Sequence, residues 1–72
     1  MDEGDQLLER VGAGIRAIRE SQGLSQEVLA EKSHLHRTYV GDVERGRRNI
    51  SLKSLHKIAK ALGVSVGQLL ET

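Results

Sequence analysis

The sequence predicts an all-α fold, a compact bundle of five short helices. Apolar residues recur at intervals of three and four along nearly the whole chain, the spacing that places them on one face of a helix. Proline is absent, so no ring interrupts a helix from within. Glycines and small polar residues punctuate the pattern at short intervals, dividing it into five stretches.

The first helix spans roughly Asp5 to Gln22, with Leu7, Leu8, Val11, Ile15 and Ile18 on one face and Asp5 as N-cap. Gly12 and Gly14 inside it each cost up to about 1 kcal/mol relative to alanine. Gly23 is a natural stop, because glycine accepts the left-handed conformation after a last turn. The second helix runs from Ser25, its N-cap, to about Lys32, with Val28 and Leu29 inward and Ala30 small. The third begins near His36 and ends by Arg45, with Val40 and Val43 inward and Gly46 as its stop. The fourth follows Ser51, carries the stripe Leu52, Leu55, Ile58, Ala59 and Leu62, and ends at Gly63. The fifth covers Ser65 to Glu71. Ser65 and Gln68 have capping-box spacing, and Val64 and Leu69 stand where a hydrophobic staple packs.

A chain of 72 residues makes one small domain with a thin core. It has no cysteine, so neither disulfides nor thiolate metal sites support it. Phe and Trp are absent and Tyr39 is the sole aromatic, which leaves the core to Leu, Ile, Val and Ala. Net charge is only +1, but it is unevenly spread. Residues 1–9 carry Asp2, Glu3, Asp5 and Glu9 and no base. Residues 45–60 carry Arg45, Arg47, Arg48, Lys53, Lys57 and Lys60 and no acid. That asymmetry fits a polyanion partner, and on charge alone it fits a solvated surface equally well. No apolar run approaches the ~20 residues that cross a bilayer, and the first residues lack the basic start of a signal peptide. The expected location is the cytoplasm.

The second and third helices are joined by a tight break, Ser33-His34-Leu35, so they cross at a steep angle. The break requires one residue near left-handed φ and turns Leu35 inward between the helices. Here the chain resembles the phage-repressor-type helix-turn-helix family (lambda-repressor-like, also called XRE-type). The likeness runs through IRAIRESQGLSQEVLAEKS, the turn SHLH, the helix ending in VERG, and SLKSLHKIAKALGVSVGQLL. The stretch RTY…ERG.RN is similar to that of the small controller proteins of bacterial restriction–modification systems. The motif occupies about residues 25–45, within a single domain spanning 1–72. Three positions depart from the family. His34 stands where the turn commonly has Gly, and His36 where Ser or Thr commonly caps the third helix. Gly41 lies mid-helix, where it weakens the helix but lets backbone approach whatever the helix touches.

Once Val40 and Val43 turn inward, Arg37, Thr38, Gly41, Asp42 and Arg45 form the outward face of the third helix. Such a face is either solvated or a reading head. The resemblance implies that this helix enters the major groove of double-stranded DNA with its N-terminal residues on base edges. Arg37 is then the candidate for a bidentate contact to guanine, and Thr38 for a base edge or thymine methyl. Tyr39 belongs either to the core or, as the resemblance favours, against the sugar–phosphate backbone. Ser25 and Gln26 open the second helix, whose free amides and positive dipole end suit a phosphate; Ser25 also serves as a plain N-cap. Arg47, Arg48 and Asn49 form a basic loop suited to phosphate contact, with Lys53 adjoining. By resemblance, Arg19 and Glu44 pair across the first and third helices and hold the reading helix in orientation. His34, His36 and His56 have no spacing that defines a metal site, no cofactor is implied, and no serine has an identifiable base. So thin a domain also offers little room for a ligand-sized cleft, and no enzyme is expected.

One reading helix contacts too few base pairs to find a genomic site. A two-fold dimer places two heads about 34 Å apart, one DNA turn. The homodimer contacts are expected among Ile50, Leu52, Val66, Leu69 and Leu70, with Val64 nearby, and part of this set must instead close the monomer core. The resemblance thus implies a sequence-specific transcriptional regulator on a pseudo-palindromic operator, in a restriction–modification setting and without a small-molecule effector. The competing class is an adaptor or antitoxin-like module that uses the same fold for protein contacts; the basic loop and Arg37 argue against it.

Overall fold

The computed structural model describes residues 2–71. Five helices follow in order: α1 (Glu3–Ser21), α2 (Gln26–Ser33), α3 (Arg37–Glu44), α4 (Leu52–Leu62) and α5 (Val66–Leu70). The all-α architecture is the expected one, and no described residue forms a strand.

Local chemistry sets the helix ends. Ser25, Ser51 and Ser65 each accept a hydrogen bond from the amide three residues on, at 3.1, 3.1 and 3.0 Å. At α5 the box closes in both directions, because Gln68 Oε1 also accepts the Ser65 amide at 2.8 Å. The start of α1 departs from expectation. Asp2, rather than Asp5, is the N-cap; its carboxylate accepts the Asp5 amide at 2.8 Å. Both residues can cap, and the upstream one adds a turn of helix while leaving Asp5 in the first turn, where an acid suits the dipole. His36 caps α3 through its ring, with Nδ1 accepting the Thr38 amide at 3.2 Å.

Eleven residues form the apolar core: Val11, Ile15, Leu29, Ala30, Val40, Val43, Leu55, Ile58, Ala59, Leu62 and Leu69. Three residues expected inward are not. Val28 is 39% exposed, because the inner face of α2 is Leu29, Ala30 and Ser33 and Val28 lies one step around the helix. Leu52 is 79% exposed, since it is the first residue of α4 and precedes the buried stripe that starts at Leu55. Leu7 is 45% exposed near the start of α1.

Gly12 explains itself once α1 and α3 are in place. A Cβ there would collide with the Val43 carbonyl oxygen and stand 2.8 Å from that of Glu44. The helix-weakening residue is what allows α1 to lie directly on the C-terminal end of α3. His34 ends α2 at φ 57°, the left-handed conformation the break requires. Leu35, the next residue, packs against the core, and its amide reaches back to the Ala30 carbonyl at 2.9 Å.

Two stability predictions follow from these positions. Gly12→Ala will lower the melting temperature, because about 2 kcal/mol of overpacking exceeds the ~1 kcal/mol gained in helix propensity. A melt at or above wild type would refute the close approach. His34→Gly will raise it. Relief of left-handed strain, about 1–2 kcal/mol, exceeds the roughly 0.4–1 kcal/mol of unfolded-chain entropy that glycine adds.

Candidate nucleic-acid interface

The outward side of α3 and the loop after it form one basic face. Arg37, Thr38, Arg45, Arg47, Arg48 and Asn49 are exposed, and Tyr39 and Asp42 are half-buried. Tyr39 packs its ring against the core, as one of the two sequence readings expected, and the Arg48 guanidinium lies 4.9 Å above its centroid. Asp42 accepts hydrogen bonds from Arg45 Nη2 at 3.0 Å and Arg48 Nη2 at 3.3 Å. Tyr39, Arg48, Asp42 and Arg45 therefore form a continuous chain across the face.

The Asp42 carboxyl is held below its ordinary value chiefly by the hydrogen bond from Arg45, which outweighs the opposing effect of burial, and then by the hydrogen bond from Arg48. A depressed carboxyl contributes stability above its unfolded-state value. That contribution is present at neutral pH and is lost as pH falls through the lowered value.

Behind the face, Arg19 and Glu44 anchor it, as the sequence reading expected. Arg19 Nε and Nη2 donate to the Glu44 carboxylate at 2.7 and 2.9 Å, and Arg19 Nη1 donates to the Leu24 carbonyl at 2.8 Å. Both residues are buried, at 8% and 7% exposure. The hydrogen bonds that Arg19 donates to Glu44 outweigh desolvation and raise the Arg19 value. The same carboxylate accepts a third bond, from Gln26 Nε2 at 3.0 Å. Gln26 thus ties the start of α2 to the end of α3, a structural role beside the phosphate role expected of it. Ser25 remains at the exposed start of α2 with its hydroxyl on the Val28 amide.

Gly41 does not offer bare backbone to a ligand, contrary to expectation. It is buried, and a Cβ there would stand 3.3 Å from Arg45 Nη2 and 3.6 Å from Gln26 Oε1. Those two side chains fold over it. Two features escaped the sequence reading. Glu27 on α2 lies 3.8 Å from Arg37, a loose and exposed pair. A recess of about 490 Å³ also lies between the end of α2 and α4, lined by Lys32, Ser33, His34, His56, Lys57, Lys60 and Ala61. The domain is therefore less bare of clefts than its size suggested, but no residue of the reading face lines this one.

Among the apolar residues expected at a dimer contact, Leu69 is fully buried in the monomer. It closes the core beneath α5 and offers nothing to a partner. Leu70 is 43% exposed and Leu52 79%, while Ile50 and Val66 are half-buried. No helix among the described residues is long and apolar enough to cross a membrane.

Two short helices joined through a left-handed residue, the second with a basic outward face, define a helix-turn-helix protein. Residues 15–69 match the helix-turn-helix family model, and the chain belongs to that family of DNA-binding transcription regulators; it is not an enzyme. It is similar to control protein C.BamHI of Bacillus amyloliquefaciens, with 52% identity over 61 residues, 83% of this chain and 75% of that protein. Control protein C.SmaI of Serratia marcescens is 52% identical over 64 residues, 89% of this chain and 76% of that protein. Among solved structures, the restriction-modification controller protein C.AhdI from Aeromonas hydrophila superposes with a TM-score of 0.85 at 48% identity, covering 86% of this chain and 94% of that one.

Removing Glu44 strands a buried guanidinium. Glu44→Ala will destabilise the fold by about 3 kcal/mol, which lowers the melting temperature by well over 10 °C in a domain of this size. An unchanged melt in thermal denaturation would count against the pair as anchor.

Proposed function

We propose that this protein is a sequence-specific transcriptional regulator that binds double-stranded DNA as a homodimer on a pseudo-palindromic operator and controls a restriction–modification system. The carrying observation is the two-sided chemistry of α3. Val40, Val43 and Glu44 are buried against the body, while Arg37, Thr38 and Arg45 stand outward beside the loop arginines.

With α3 in the major groove, each side chain takes a distinct role. Arg37 at the start of the helix offers its fork to guanine O6 and N7, and Thr38 lies beside it for an adjacent base edge. The exposed amides at the start of α2, with Ser25, receive a backbone phosphate on one side of the groove. Arg47, Arg48 and Asn49 receive phosphates on the other. Arg47 makes no ion pair among the described residues, which suits it to that contact. Phosphate contacts set register and base contacts set sequence.

The dimer contact uses Leu70 and Leu52, the exposed members of the apolar set, flanked by Val66 and Ile50. Water-exposed leucines at the C-terminal half support a contact between copies, and two-fold symmetry supplies the second reading head. The restriction–modification setting rests on the named roles of the relatives, control proteins and a controller protein. Regulation follows protein concentration through dimer formation and binding of paired sites.

The test pairs selection with mutation. Duplexes selected from a random library will carry two half-sites about one DNA turn apart. Against the selected duplex, Arg37→Ala combined with Arg48→Ala will weaken binding by about a hundredfold, on the scale of one lost bidentate base contact and one lost phosphate contact. The variant's helical circular dichroism will be retained and its melt lowered by only a few degrees, since neither side chain is buried and the Arg48 contacts are exposed ones. Full affinity in a folded double variant, or no wild-type binding to any duplex at low salt, overturns the reading in favour of a protein-contact module.

A further inference from the structure

Between residues 37 and 49 there are two acids. Glu44 is buried and serves the anchor behind the face. Asp42 is different: it lies on the outward side, within a surface otherwise suited to phosphate, with its side chain 27% exposed. A carboxylate there repels both the DNA backbone and the acceptor edge of guanine, so its presence needs a reason.

The geometry supplies one. Asp42 binds two arginines, Arg45, the C-cap of α3, at 3.0 Å and Arg48 of the following loop at 3.3 Å. The Arg45 contact is ordinary helix spacing, three residues apart. The Arg48 contact, six residues on, is not, and it is reinforced where the guanidinium covers the Tyr39 ring. Two cations that a phosphate would attract are thus already held by a built-in anion. The three groups together carry +1 rather than the +2 of two free arginines.

We propose that Asp42 is a specificity-determining residue, which restrains Arg45 and Arg48 from sequence-independent phosphate contact and so weakens binding to random DNA more than binding to the operator. The inference rests on the DNA-binding reading above. On random sequence a phosphate must displace the carboxylate, and the carboxylate stays nearby as an uncompensated repulsion. On the operator Arg48 still meets its phosphate, but a base edge offers the released Arg45 paired acceptors, and a cytosine or adenine amino group offers Asp42 a donor.

The test compares wild type, Asp42→Asn and Asp42→Glu on a random-sequence duplex and on a library-selected duplex, from about 50 to about 200 mM salt. Asp42→Asn will bind the random duplex about tenfold more tightly near 0.1 M salt, with a log–log salt slope steeper by about 0.9 for each arginine released. The ratio of selected to random affinity will fall severalfold. Asp42→Glu, which keeps the charge, will retain the wild-type slope and ratio. Should the asparagine variant melt early, Asp42→Ser gives the same readout. An unchanged slope, or equal weakening on both duplexes, overturns the inference and leaves Asp42 as a brace for the loop. Wild type binding neither duplex is a separate failure, that of the DNA-binding reading itself.

Discussion

The Arg19–Glu44 pair is the contact on which the orientation of the reading helix depends. It joins the end of α1 to the end of α3, and one carboxylate takes two bonds from Arg19 and a third from Gln26 of α2. Three helices are thereby referenced to one side chain. A buried ion pair of this kind contributes little net stability against an apolar replacement, but it tolerates few geometries. It works beside Gly12, where the absence of a side chain lets α1 approach the Val43 and Glu44 carbonyls. Without that approach, α3 would shift outward and carry every outward residue with it.

From this anchor the basic face inherits its form. With Val40 and Val43 buried and Glu44 tied back, helical geometry leaves Arg37, Thr38 and Asp42 outward. The loop then returns across the face, so that Arg48 meets both Asp42 and Tyr39. A basic patch of free arginines would attract any polyanion. The pairs on this patch, Glu27 with Arg37 and Asp42 with Arg45 and Arg48, divide it into cations held by acids and Arg47, which makes no ion pair among the described residues. Recognition of DNA by such a surface is a competition between internal and external anions, and this is where selectivity against random sequence can be built.

Much of the fold was legible because its signals are local. The serine caps act within four residues, as does the capping box at α5. The stops at Gly23, Gly46 and Gly63, all at positive φ, act within a single turn. The left-handed residue in the break was legible too, and it falls on His34 directly after the last turn of α2. Where two local signals competed, as at Asp2 and Asp5, sequence offered no way to rank them. The Arg19–Glu44 pair, 25 residues apart, was reachable only through resemblance to a known family.

By itself, then, the chain's order of residues determined the helices, their boundaries to within a few residues, and most of each inward face, since these depend on spacing and on short-range hydrogen bonds. Tertiary structure alone decided that Gly12 is a contact surface, that Leu69 belongs to the core while Leu52 and Leu70 remain outside it, and that Asp42 gathers both Arg45 and Arg48. The physical reason is common to all three. Each is settled by which segment arrives opposite the residue, and that arrival depends on helix crossings that no single stretch of sequence encodes.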